Sequence, residues 1–108
     1  MIEMLSMDLN RELIPQPIST FFGRVKGSSM IGAGVDDGDV LIIDKSLQWK
    51  KDALAVCCLN GDFTLKFIDK DNEGLFLRPA NPNYPIIRIN EDDYFTVWGI
   101  VSYIIKKQ

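Results

Sequence analysis

The sequence predicts a mostly β, single-domain protein built from hairpins, with few or no helices. Short apolar runs recur from residue 21 to residue 105, separated by glycine, proline, asparagine and aspartate, the usual punctuation of strands and turns. Asn60-Gly61 falls between two of these runs, and both residues tolerate the positive φ that a tight hairpin turn demands. At 108 residues the chain is long enough for one real core and not for two.

Residues 1–20 carry scattered apolar positions interrupted by Pro15 and Pro17. A helical turn over Asp8–Leu13 would end at Pro15, so this segment reads as a mobile N-terminal arm ahead of a β domain over residues 21–108. Phe21–Val25 is the first expected strand. Val40–Ile43 is a continuous apolar run, fit for a strand buried on both faces. Ser46–Lys51 is a polar connection carrying Trp49. Ala53–Leu59 and Phe63–Ile68 flank the Asn60-Gly61 turn as a hairpin, and Asp69–Gly74 forms the next turn before a short strand at Leu75–Leu77. Arg78–Pro85 holds three prolines and two asparagines and must be loop. Ile86–Ile89 and Tyr94–Ile105 close the chain as strands. The last run is apolar on both alternating faces, so one face should pack on the core and the other on a second copy or on further core elements.

Composition removes several functions. The net charge of −3 offers no broad basic field, which disfavours direct specific binding of DNA. No apolar run approaches the length of a membrane span, and the opening residues lack the layout of a signal peptide, so a cytoplasmic protein is expected. Cys57 and Cys58 are adjacent on one expected strand and point to opposite faces, which disfavours a bridge or a shared metal between them and suggests two buried, reduced thiols. Histidine is absent, and with it every His-based zinc site and Ser-His or Cys-His mechanism. No metal or cofactor is expected: Asp36-Asp37-Gly38-Asp39 lacks the spaced ligands of a calcium loop, and Gly27-x-x-x-x-Gly32 lacks the Lys-Ser/Thr of a phosphate loop.

One stretch stands out from this background. Val25–Asp39 contains four glycines, two serines and three aspartates between two expected strands, so its backbone needs unusual torsions. Such a segment holds a hydroxyl at an exposed corner, although Ser28 and Ser29 also suit a simple turn. Lys66 lies on a strand with apolar neighbours on both sides. As an outer-face residue it would be solvated; with its amine partly buried its pKa would fall and it would become a general base. Without histidine, a serine nucleophile in this chain has only such a lysine to call on. Spacing alone does not bring Ser29 and Lys66 together.

Four ordered blocks carry a resemblance to a known family. Val25-Lys26-Gly27-Ser28-Ser29-Met30, followed by Gly34-Val35-Asp36-Asp37-Gly38-Asp39-Val40, resembles the Gly-x-Ser-Met…Gly-Asp block of the LexA/UmuD family. Gly61–Lys66 is similar to the second block, which ends in that family's lysine. Leu77–Ile86 and Val97–Val101 are similar to the two C-terminal blocks. The match spans roughly residues 8–108, and Asp8-Leu9-Asn10 leading to Pro17 is most similar to the UmuD branch. The resemblance implies a domain of curved sheets like the LexA/UmuD C-terminal domain, and a Ser–Lys dyad with Ser29 as nucleophile, Lys66 as neutral base and the Ser29 backbone amide in the oxyanion hole.

The pattern also departs from the family. Members cut their own arm at an Ala-Gly or Cys-Gly bond well upstream of the serine, and residues 1–28 contain neither; Ala33-Gly34 lies just after Ser29. The likeness is therefore to the processed form of the UmuD branch, UmuD′, and self-cleavage is disfavoured. The implied function is an accessory subunit of an error-prone translesion DNA polymerase in the SOS DNA-damage response. Its implied partners are a UmuC-type polymerase, RecA–ssDNA filaments and a second copy in a homodimer joined through residues 90–105. The alternatives are a Ser–Lys peptidase acting in trans on a full-length UmuD-type protein, a LexA-type repressor C-terminal domain, and a signal-peptidase-like enzyme, which lacks support without a membrane anchor.

Overall fold

A computed structural model of the chain describes residues 1–5 and 19–108. The eight strands are β1 (Ile2–Met4), β2 (Thr20–Val25), β3 (Val40–Asp44), β4 (Leu54–Leu59), β5 (Asp62–Asp71), β6 (Gly74–Arg78), β7 (Ile87–Arg88) and β8 (Phe95–Ile105). They form one antiparallel sheet in the order β1-β2-β3-β8-β4-β5-β6-β7. The mostly β expectation holds. The only helical element among the described residues is a single 3₁₀ turn at Ile31–Ala33. The sheet curls enough for β1, at one edge, to come into contact with β5.

The Asn60-Gly61 turn forms as read, with φ of 51° and 91° at its two residues, and joins β4 to β5 in register from Leu59↔Asp62 to Leu54↔Phe67. The next hairpin is longer than expected. Asp69, Lys70 and Asp71 continue β5 instead of turning, because they pair with Phe76, Leu75 and Gly74 and the two aspartates meet cations. Arg88 pairs with Asp71, and Arg78 lies 3.7 Å from Asp69.

Three other expectations are corrected. The start of the arm is docked, since Ile2–Met4 pairs with β2 in the register Ile2↔Val25. Ile2 is buried and fills the space that a side chain at position 23 would occupy; a Cβ on Gly23 would lie 2.7 Å from Ile2 Cγ2. The expected turn at Asp8–Leu13 and the two arm prolines lie outside the described residues. β3 is not buried on both faces: Leu41 and Ile43 are inaccessible, while Val40 and Ile42 are half-buried. Cys57 is buried and Cys58 only partly so, and both are free thiols.

The sheet buries two apolar clusters. One gathers Ile2, Val25, Met30, Val35, Leu41, Ile43, Val56 and Leu65, and the other Ala55, Cys57, Ile68, Leu77 and Ile100. β8 serves both by slipping register twice. Its pairing with β3 jumps from Ile42↔Tyr103 to Ile43↔Val101, and its pairing with β4 from Val56↔Gly99 to Cys57↔Val97. Each jump leaves one extra residue on β8, Ser102 or Trp98, and such bulges bend a strand and re-aim its side chains. Trp98 accordingly meets Phe21 and Phe63 edge-on, with ring centroids 4.7 and 5.5 Å apart.

Gly99 follows the second bulge, where a Cβ would stand 2.6 Å from Ile43 Cγ2. Gly99→Ala is therefore expected to lower stability by about 1–3 kcal/mol through overpacking, read from urea denaturation. An unchanged midpoint would show that Ile43 can repack around the added methyl.

Candidate active site

The loop between β2 and β3 is a fixed structure. Backbone bonds from Val25 N–H to Asp39 O and from Gly38 N–H to Val25 O, both 2.9 Å, close its base. Met30 and Val35 are buried and pin its middle to the core, and the Val35 N–H reaches Met30 O at 3.3 Å. Asp39, only 1% exposed, ties the far side. Its carboxylate accepts from Asp36 N–H at 2.8 Å, from Lys107 N–H at 3.2 Å and from the Lys106 ammonium. Burial pushes the Asp39 pKa up, but Lys106 and the two amides outweigh it and hold the carboxyl below the ordinary value. Lys106 also donates to Gly34 O at 2.9 Å and to Asp36 at 2.8 Å.

A second loop, residues 79–86, braces the serines. Ala80 N–H donates to Ser29 O at 2.9 Å, Gly32 N–H to Ala80 O at 2.7 Å, and Asn81 Nδ2 to Ser28 O at 2.9 Å. The two loops approach so closely that a Cβ on Gly32 would lie 2.5 Å from Ala80 O. Position 32 must be glycine.

Lys66 comes from β5. Its side chain stands between those of Thr64 and Ile68 on one strand face, opposite Ala55 of β4. At 5% exposure it is one of two buried charged residues among those described, with Asp39. Its Nζ lies 2.9 Å from Ser29 Oγ, 2.8 Å from Thr64 Oγ1 and 3.1 Å from Leu65 O. Burial drives its pKa below the ordinary lysine value. The Cys57 thiol, if ionised, would pull it back up. Burial pushes that thiol to about 12, however, so at neutral pH it is uncharged and burial of the amine decides.

The three partners of Nζ suit both protonation states. An ammonium has three N–H groups, which donate to Ser29 Oγ, Thr64 Oγ1 and Leu65 O. A neutral amine has two N–H groups and one lone pair. Leu65 O can only accept and Thr64 Oγ1 can accept, so the lone pair is left for the Ser29 hydroxyl proton. That is the arrangement a general base needs.

Ser29 and Lys66, the two predicted side chains, are thus brought together. Among the described residues no hydrogen bond uses the Ser29 backbone N–H, so it remains available as a donor beside Oγ. The pair opens on a cleft of about 140 Å³, lined also by Gly27, Tyr84, Pro85 and Ile87. Tyr84 Oη lies 3.2 Å from Ser28 Oγ at its mouth. Sequence reasoning missed Thr64, Asn81 and Tyr84 as parts of the site. Thr64 had a signal, since it shares the Lys66 face two residues away; the other two depend on how distant loops meet.

Residues 3–102 match the family described as Peptidase S24-like. The chain belongs to that family. Protein MucA of Salmonella typhimurium is 32% identical over 102 residues, covering 94% of this chain and 69% of that protein. Protein SamA of Salmonella typhimurium strain LT2 is 32% identical over 101 residues, again with 94% and 69% covered. The LexA repressor of Delftia acidovorans is 32% identical over 83 residues, covering 77% of this chain and 37% of the repressor. The LexA/UmuD resemblance of the four sequence blocks is a true family relation. In this S24-like domain, no helix among the described residues is long and apolar enough to cross a membrane.

The depressed pKa of Lys66 has a consequence for stability. Between its folded pKa and the ordinary lysine value the unfolded chain binds more protons, so stability contributed by this residue rises with pH. Lys66→Met keeps the stem and removes the buried amine. The variant is expected to match or exceed the parent in thermal unfolding at pH 6, with the difference narrowing as pH rises toward 10. A variant less stable at pH 6 would mean the amine is well compensated as an ammonium.

Proposed function

We propose that this chain is a UmuD′-like accessory subunit of an error-prone translesion DNA polymerase, acting in the SOS response in the cytoplasm. The observation that carries this reading is the extent of the match to MucA and SamA, which takes in 94% of this chain and 69% of each of those proteins, against 77% of this chain and 37% of the LexA repressor. The partners are a UmuC-type polymerase, a RecA–ssDNA filament and a second copy. Tyr94, Val97, Tyr103 and Ile105 remain exposed along residues 90–105, which supports a self-complementary patch there and a symmetric homodimer. Of residues 1–20, Ile2–Met4 are paired into the sheet, and the polymerase contact is proposed for the remainder.

A second reading is favoured by the 2.9 Å contact between Lys66 Nζ and Ser29 Oγ: a Ser–Lys peptidase acting in trans on a full-length UmuD-type protein. Neutral Lys66 takes the proton of Ser29 as Oγ attacks the substrate carbonyl, and the new negative oxygen is met by the Ser29 backbone N–H. Lys66 then returns the proton to the leaving amine, and the acyl-enzyme is hydrolysed by water that Lys66 activates in turn. Thr64 and Leu65 O keep the amine aimed throughout.

Co-expression with the UmuC-type polymerase of the same cell is expected to yield a stable complex containing a dimer of this chain, with its mass intact after prolonged incubation. No complex, together with cleavage of a full-length UmuD-type protein that Ser29→Ala abolishes, would replace the accessory reading with the peptidase.

A further inference from the structure

A second cleft shares Lys26 with the first and has a different character. It has a volume of about 370 Å³ and is walled by Arg24 from the end of β2, Lys26, Asp37 and Gly38 of the nucleophile loop, and Lys107 beyond β8. Three cationic side chains face one carboxylate there, in a chain whose net charge is −3. Asp37 is already engaged, accepting from the Gly27 N–H at 2.8 Å. Glu3 stands opposite Arg24 across the β1–β2 pairing, yet among the described residues none of Arg24, Lys26 and Lys107 makes an ion pair.

The cationic wall is held in place by the fold. Lys107 is anchored through its backbone N–H on buried Asp39, and its stem lies across Gly38, where a Cβ would stand 2.8 Å from Lys107 Cδ. Lys26 lines both this cleft and the one beside Ser29 and Lys66, and Met1, which also lines the latter, is paired to the Lys26 backbone, so an extended peptide spanning the two would run past Met1. We infer that the Arg24–Lys26–Lys107 cleft is a carboxylate-binding subsite for an acidic peptide whose neighbouring residues lie over Ser29. A peptide fits better than a nucleic acid, because three cations on a net-negative chain do not make the basic stripe that tracks a phosphate backbone. The inference rests on the Ser29 cleft receiving a peptide, and it holds whether or not the dyad turns that peptide over.

Binding without turnover tests it. Ser29→Ala protein is titrated into two fluorescein-labelled peptides that share a small, apolar stretch and end in either Asp-Glu or its Asn-Gln isostere, read by fluorescence anisotropy. The acidic peptide is expected to bind about five- to tenfold more tightly at low ionic strength, and the gap should shrink as salt is added. Arg24→Glu with Lys107→Glu should abolish or invert that preference while the isostere binds as before. Should the double reversal fail to fold by thermal melt, Arg24→Gln and Lys107→Gln singly should each reduce the preference. Equal binding of the two peptides, no binding of either, a preference that survives the charge changes, or a single-stranded oligonucleotide that outcompetes the acidic peptide would each overturn the inference. Failure of the accessory-subunit reading shows separately, in the absence of a polymerase complex.

Discussion

Holding a lysine amine out of water is costly, and much of this fold is arranged around the place where that is done. Lys66 projects from the middle of the longest hairpin, with Ala55 across from it and Cys57 and Ile68 nearby, all nearly inaccessible. The hairpin carries no flexible joint at that point. The oxygens that compensate the amine come from its own strand, Thr64 Oγ1 and Leu65 O, and from one loop, Ser29 Oγ. Only the last must be brought from a distance, which explains the care with which that loop is fixed. A loop displaced by an ångström would leave the amine a partner short, at the expense of an unsatisfied buried polar group.

The loop is held from two sides by unlike means. On one side it is anchored by apolar plugs, Met30 and Val35, and on the other by the buried Asp39 carboxylate, which collects amides and an ammonium. Residues 79–86 add a third contact, through backbone bonds from Ala80 to Ser29 and Gly32 and through the Asn81 side chain on Ser28 O. The sequence stretch richest in glycine is therefore not the loosest part of the molecule. Gly32 permits close approach to Ala80, while Gly27, Gly34 and Gly38 take up the positive φ that its turns require.

Local chemistry was the legible part. Asn60-Gly61 announced its hairpin because the required torsions belong to those two residues, and the strands on either side followed from short apolar runs. The dyad was legible in a different way: neither Ser29 nor Lys66 differs from a turn serine or a strand lysine until ordered blocks on both sides are recognised. What stayed hidden depends on pairing across distance. β1 is a strand of three residues whose evidence is a glycine on another strand, the polar end of β5 is held by Arg78 and Arg88, and the brace of Asn81 on Ser28 exists only once two loops meet. Nor does any local pattern announce that β8 lies between β3 and β4, since strand order is set by the whole sheet.

That last placement bears on how the molecule is made. β8 is the last of the eight described strands in chain order, yet it occupies the middle of the sheet. Until it arrives, β1–β3 and β4–β7 are two fragments, each with an open edge where β8 belongs, and unpaired edges of this kind invite pairing with other chains. The nucleophile loop belongs to the first fragment and Lys66 to the second. Within the sheet, β8 is thus the strand that joins the half carrying the serine to the half carrying its base.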